Sequence, residues 1–180
     1  VELWPSPNGA KNWGHAAFNP TTGLLYANTY HSSSTYKFIP MGEFKAGQRY
    51  QFIENVYPET SKDAPAGHME AIDPMTAKAR WRTPLIGQRN ASAMLATGGG
   101  LIFTGKNTGE FIALDADTGE VVWSFKTGSG INAQPVTWTK NGKQYVTILS
   151  GLGGVGSSRR GLPSTIPLGG SVWTFALFDQ

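Results

Sequence analysis

The side chains best suited to move a proton near neutral pH are three histidines, His15, His31 and His68. Imidazole titrates in this range, so His15 can act as a proton relay beside a substrate or serve simply as a polar wall. His31 and His68 have no neighbour at a metal-ligand spacing, and no role follows for them. The 180 residues hold no cysteine, which excludes zinc-thiolate sites and a disulfide framework within them but leaves the compartment open. The string Gly151-Leu152-Gly153-Gly154-Val155-Gly156 looks superficially like a phosphate loop, yet no strand-helix-strand pattern surrounds it. Asp73 and Asp115 recur at equivalent positions of a repeat and are read as structural carboxylates. Asn90-Ala91-Ser92 is a glycosylation sequon in form only.

The elements that must position these groups repeat. AIDPMTAKARW at 71–81 and ALDADTGEVVW at 113–123 lie 42 residues apart and share Ala71 with Ala113, Asp73 with Asp115, Thr76 with Thr118 and Trp81 with Trp123. A second pair follows, ASAMLATGGGLIFTG from Ala91 and AQPVTWTKNGKQYVTILSG from Ala133, and AAFNPTTGLLYAN from Ala16 is a third copy. In all three the second strand is almost continuously apolar, as expected of one buried on both faces. Asn141-Gly142 suits a type I′ hairpin, and Asp117-Thr118-Gly119 places glycine where the chain reverses. A period near 42 with about four short strands per unit predicts propeller blades, roughly four of them in this length.

The recurring tryptophan is read as packing: a small alanine allows close approach, Asp and Thr fix the turn, and the indole covers the seam between blades. Gly169 to Trp173 repeats the spacing of Gly119 to Trp123, so SVWTFALF is expected to be a terminal strand that closes the ring. Between Tyr30 and Gly67 the period breaks, leaving an excursion at 31–66 of the kind that often lines a propeller's functional face.

Composition agrees with an all-β chain: 39% hydrophobic and 15% charged residues, 23 glycines, 11 prolines and many aromatics. The net charge of +3 is scattered, with Arg159-Arg160 the one basic doublet, which argues against a nucleic-acid partner. No apolar run reaches the 18 or so residues of a spanning helix. No leader-like segment opens the sequence, so the expectation is a soluble chain whose export signal has already been removed.

The pattern Ala-x-Asp-x-x-Thr-Gly-x-x-x-Trp closely resembles the tryptophan-docking motif of the quinoprotein alcohol dehydrogenases, the family that includes methanol and ethanol dehydrogenases. Other segments agree in the same order: KNWGHAAFNPTTGLLYAN, GGGLIFTGKNTGEFIALDADTGEVVWSFKTGSGI, PVTWTKNGKQYVTILSGLGG and GGSVWTFAL. The resemblance covers nearly the whole chain, least securely at 31–66. It implies that residues 1–180 are the C-terminal half of a single eight-bladed β-propeller, about four blades, completed by the N-terminal half of the same propeller. It further implies oxidation of an alcohol CH–OH group by pyrroloquinoline quinone (PQQ) with a calcium or lanthanide ion. The catalytic aspartate, the metal ligands and a vicinal cysteine pair would all lie upstream, so neither a catalytic residue nor a metal ligand is assigned within this segment. A cytochrome c or similar acceptor and a periplasmic location follow by the same analogy.

By resemblance, Asn12 and Trp13 lie at the cofactor edge, the Asn amide donating to a quinone or carboxylate oxygen; an amide supplies two donors without adding a titratable group. Gly153 and Gly154 match glycines whose main chain approaches the cofactor, a role that requires a missing side chain. His15, Ala91 and Val155 are assigned to the substrate pocket. Ala91 and Val155 stand where the small-alcohol enzymes carry tryptophan, which implies a roomier cavity for a bulky alcohol or polyol. The alternatives are a non-enzymatic propeller scaffold of the outer-membrane assembly type, since docking tryptophans alone only build blades, and a family member that no longer binds quinone.

Overall fold

The computed structural model describes residues 1–48, 50, 52–58, 63–86, 92–152 and 166–177. Every regular element among them is a β-strand, as the composition predicts. In chain order these are β1 (Glu2–Leu3), β2 (Ala17–Asn19), β3 (Leu24–Tyr30), β4 (Ser34–Phe38) and β5 (Ile53–Val56). There follow β6 (Pro65–Asp73), β7 (Lys78–Ile86), β8 (Met94–Ala96), β9 (Leu101–Gly105) and β10 (Glu110–Asp115). The last four are β11 (Val121–Lys126), β12 (Val136–Lys140), β13 (Lys143–Leu152) and β14 (Gly169–Ala176).

Antiparallel pairing sorts the strands into four sheets. Three carry the repeat: a first blade β2-β3-β6-β7, a second β8-β9-β10-β11 and a third β12-β13-β14. The fourth sheet, β1-β4-β5, pairs part of the 31–66 excursion with the N-terminal residues. The excursion leaves the first blade between β3 and β6, which still pair directly, so it decorates the blade without disturbing its order.

The two copies of the repeat occupy identical sheet positions. One row across the first blade runs Ala17, Tyr26, Ala71, Trp81, and the matching row of the second runs Leu95, Phe103, Ala113, Trp123. Each copy also carries a register irregularity just past the alanine, between Ala71 and Ile72 and between Ala113 and Leu114. Such bulges bend the outer strand and re-aim its side chains, and a bulge repeated in place is a designed feature.

Alternate side chains of the middle strands face opposite neighbours, which explains the nearly continuous apolar runs. Leu24, Tyr26, Met69, Ala71 and Leu85 of the first blade meet Met94, Ile102, Ile112 and Leu114 of the second. The other face of the second blade sets Phe111, with Phe103 and Leu95, against Ile131, Val146 and Ile148 and the partly buried Trp173 and Phe175. Full burial of each large apolar side chain contributes about 1.5–3 kcal/mol, so these two seams hold most of the apolar stabilisation.

The indole of Trp81 reaches across the first seam. Its Nε1 donates to the Ala116 carbonyl at 2.9 Å, and its ring covers Gly119 so closely that a Cβ there would stand 2.5 Å from ring carbons. The seam-covering role expected of the tryptophan is therefore realised at Trp81. Trp123 makes a different joint: it packs edge-on to Phe175 at 5.1 Å, within a cluster that includes Phe111 and Phe125.

Trp173 lies on the terminal strand expected around SVWTFALF. β14 forms, but it is the third strand of its sheet, where Trp173 pairs with Ile148 as Leu114 pairs with Ile102. Its Nε1 donates to Ser171 Oγ at 2.8 Å and its ring packs on Phe125. The Gly-x-x-x-Trp spacing at 169–173 therefore does not place it on the fourth strand held by Trp81 and Trp123, because Gly169 begins a strand rather than ending a turn.

The turns follow their chemistry. Asn141 (φ 52°) and Gly142 (φ 76°) both lie in the left-handed region that a type I′ turn needs. Asp115 Oδ1 accepts from the backbone of Asp117 and Thr118 and from the Thr118 hydroxyl, and Asp73 does the same for Met75 and Thr76. Gly119 has φ 75°, and Ala77, its counterpart in the first blade, is held at 56°.

Gly119→Ala both forces an L-residue into the left-handed region and drives a methyl into Trp81, and should cost roughly 2–4 kcal/mol, read from the denaturant midpoint. Ala77→Gly should instead stabilise by about 0.5 kcal/mol, the relieved strain exceeding the added chain entropy. The carboxyls of Asp73 and Asp115 are held below the usual range, chiefly by backbone N–H donors. A depressed carboxyl pKa gives stability that is present above the unfolded value near 3.8 and lost as pH falls through the folded one. Asp115→Asn should therefore lower the melting temperature at pH 7, where the carboxylate's contribution is fully present, and flatten the acid limb of the profile so that mutant and wild type converge at low pH.

Candidate functional site at one end of the sheets

A four-strand meander runs away from one end on its first strand, returns on its second, leaves on its third and returns on its fourth. Segments that enter first strands, turn from second to third strands, or leave fourth strands therefore collect at a single end. Asn12, Trp13 and His15 precede β2 and lie there. The residues flanking the next candidates, Ile86 and Ser92 on one side and Leu152 on the other, also lie there. Ala91, Gly153, Gly154 and Val155 themselves fall outside the described residues.

The segment that carries Asn12 and Trp13 is tied at both ends. Tyr30 N donates to the Ala10 carbonyl at 2.6 Å, rooting the segment on the last residue of β3. Met94 N donates to the His15 carbonyl at 3.0 Å, which joins it to the first strand of the second blade. Within the turn the Lys11 ammonium donates to the Gly14 carbonyl. Asn12 and His15 are exposed, and the Trp13 indole is 89% exposed. An aromatic face and an amide with two donors thus stand free at the end where the first strands converge, a donor set that fits a planar, polyanionic cofactor.

Beneath this surface the seams are sealed by polar contacts. Asn28 Nδ2 donates to the Ser92 carbonyl at 2.7 Å, and Ser92 Oγ donates to the Ala133 carbonyl at 2.7 Å, so a short chain of bonds runs from the first blade through the second to the segment entering β12. At the second seam Thr127, Ser129 and Ser150 form a buried hydroxyl cluster, and Ser129 Oγ donates to the Pro167 carbonyl at 2.6 Å. Buried hydrogen bonds of this kind rigidify the frame around a site, although the Asn28 Oδ1 itself is buried without a partner among the described residues.

Sequence reasoning assigned nothing to His31 and His68, and folding brings them together. Their rings meet edge to face at 4.7 Å where the excursion leaves and rejoins the first blade. Burial lowers the His68 pKa, and the neighbouring His31 lowers it further. Glu70, two residues along β6, is held by the Thr29 hydroxyl at 2.6 Å and by Arg82 at 3.2 Å. Pairing 37 residues apart leaves no local signal, so only strand register reveals it. Among the described residues no three His, Cys, Asp or Glu side chains converge as a metal site, and no helix is long and apolar enough to cross a membrane.

Comparison with known proteins agrees with this architecture. Residues 1–146 match the family described as PQQ: glucose/ethanol/alcohol dehydrogenase, beta-propeller domain. Quinoprotein ethanol dehydrogenase of Pseudomonas putida is 36% identical over 185 residues, covering 98% of this chain and 29% of that protein. 1-Butanol dehydrogenase (quinone) of Thauera butanivorans is 36% identical, covering 94% and 27%. Among solved structures, a europium-containing methanol dehydrogenase superposes with a TM-score of 0.85 at 30% identity, covering 98% of this chain and 35% of that one. The chain thus spans less than a third of the length of the curated relatives it matches. Repeated blades, an indole laid across a seam and a matching profile over most of its length place this chain in the glucose/ethanol/alcohol dehydrogenase β-propeller family.

Proposed function

We propose that these residues are the C-terminal arc of a larger, eight-bladed propeller that oxidises an alcohol CH–OH group with PQQ. The observation that carries the reading is the Asn12-Trp13 turn, tied at both ends and presented at the end of the sheets where the first strands converge. The names of the relatives, ethanol and 1-butanol quinone dehydrogenases among them, support it. The open flanks of the arc support its incompleteness. On the first blade Phe18 is 55% exposed beside Leu25 and Ile72, and on the third Leu149 and Val172 pair at 55% and 67% exposure. Apolar rows of this size belong against further sheets.

In this reading the Asn12 amide donates to an oxygen of the quinone or its carboxylates, and Trp13 covers one edge of the ring. His15 walls the substrate side and can pass a proton outward. By resemblance Gly153 and Gly154 are assigned to the cofactor and Ala91 and Val155 to the substrate pocket, an assignment that would suit a bulky alcohol or polyol. When bound, the quinone with its calcium or lanthanide ion supplies the two-electron acceptor for hydride from the carbinol carbon. A carboxylate in the remainder of the propeller would take the hydroxyl proton, and a cytochrome c or similar acceptor would take the electrons. The same reading puts the protein in the periplasm, which cell fractionation tests directly.

The decisive experiment reconstitutes the complete protein with PQQ and either calcium or a lanthanide. The expected result is a quinone absorbance that survives gel filtration and alcohol-dependent reduction of an artificial acceptor; a colourless protein under both metal conditions rejects the enzyme in favour of a scaffold. Ala91→Trp should abolish turnover of bulky alcohols while ethanol oxidation persists, and unchanged bulky-substrate rates would remove the roomy-pocket assignment.

A further inference from the structure

Between its two anchors at Ala10 and His15 the candidate turn is four residues long. Such a turn can present its middle side chains in many directions unless something closes it. Lys11 does so: its ammonium folds back to donate to the carbonyl of Gly14, forming a ring that leaves Asn12 and Trp13 at the apex. Lys11 is only half-exposed, and burial pushes its pKa below the ordinary lysine value. Among the described residues it forms no ion pair with a carboxylate; the pairs that do form are Arg82 with Glu70 and Lys126 with Glu110. A long, flexible cation partly withdrawn from water and committed to a main-chain carbonyl represents a conformational constraint, since lysine loses as much rotamer freedom as any side chain.

We infer that Lys11 is a positioning residue: by closing the 11–14 turn it sets the aim of the Asn12 amide and the Trp13 indole before any cofactor arrives. This rests on the site proposed above and deepens it, because a preorganised turn strengthens binding by removing the ordering cost from the binding step. Lys11 itself need not touch the cofactor.

The test uses the complete protein with Lys11→Met, Lys11→Gln, Lys11→Arg and Asn12→Ala variants. PQQ affinity is measured by equilibrium dialysis with calcium present. Separately, the ¹⁹F resonance of 5-fluorotryptophan at position 13 is recorded in the quinone-free protein. Lys11→Met should weaken PQQ binding about tenfold, the loss expected for one charge-assisted hydrogen bond, and should narrow the Trp13 signal towards its free-solution shift. Lys11→Arg should restore both readouts to within about twofold, and Lys11→Gln should fall between, at an unchanged melting temperature. If Lys11→Met does not fold, the ordering of Arg, Gln and wild type on the same two readouts decides the matter. Wild-type affinity and an unaltered Trp13 signal in every folded Lys11 variant would overturn the inference. If Asn12→Ala also leaves PQQ affinity unchanged, the site itself is misplaced; if Asn12→Ala weakens binding and no Lys11 variant does, the site stands and the positioning role fails.

Discussion

The arrangement depends on one contact, the indole of Trp81 laid on the left-handed turn at Gly119. The ring lies so close to the turn that only a residue without a Cβ fits beneath it. The bulge between Ala71 and Ile72 turns the outer strand so that the ring reaches across the seam, and Asp115 shapes the receiving turn. At Ala77 a methyl occupies the equivalent spot, so no tryptophan of a neighbouring sheet can lie on that turn as closely as Trp81 lies on Gly119. The two flanks of the first blade are therefore not interchangeable.

From that joint the position of the candidate site follows. Blades fixed side by side converge along their first strands, and the converging end becomes rigid because its polar groups bond across the seams rather than to water. Asn28, Ser92 and Ala133 link three consecutive units in this way, and Thr127, Ser129 and Ser150 do so again one seam further on. A turn such as 10–15, rooted on Tyr30 and on Met94, inherits its orientation from two blades at once. Its exposed aromatic and amide project from a backbone tied to both blades, an anchorage that a binding surface requires before its ligand is present.

The excursion gives the same end its variety. Because β3 and β6 pair directly, the blade tolerates 31–66 as an insertion at its corner, and the inserted strands satisfy their own backbone by pairing with Glu2–Leu3. This brings the N-terminal residues, the His31 and His68 rings and the candidate turn into one neighbourhood.

Local physics was legible in the residues alone. The 42-residue period, the Asp-Thr-Gly and Asn-Gly turns, the continuously apolar middle strands and the seam role of Trp81 all arise from interactions within one blade or between adjacent copies, and each leaves a mark at short spacing. The segment carrying Asn12, Trp13 and His15 was identified from its resemblance, and its place at the converging end follows from the meander. Tertiary structure decided what register and long-range pairing control. It ranked β14 as a third strand and so separated Trp173 from Trp81, paired the excursion with the N-terminal residues, joined His31 to His68 and closed the turn with Lys11. The rank of β14, the pairing of the excursion and the His31–His68 contact join segments whose separation along the chain says nothing about their alignment across a sheet, whereas the Lys11–Gly14 contact is local and is set by the conformation of the side chain.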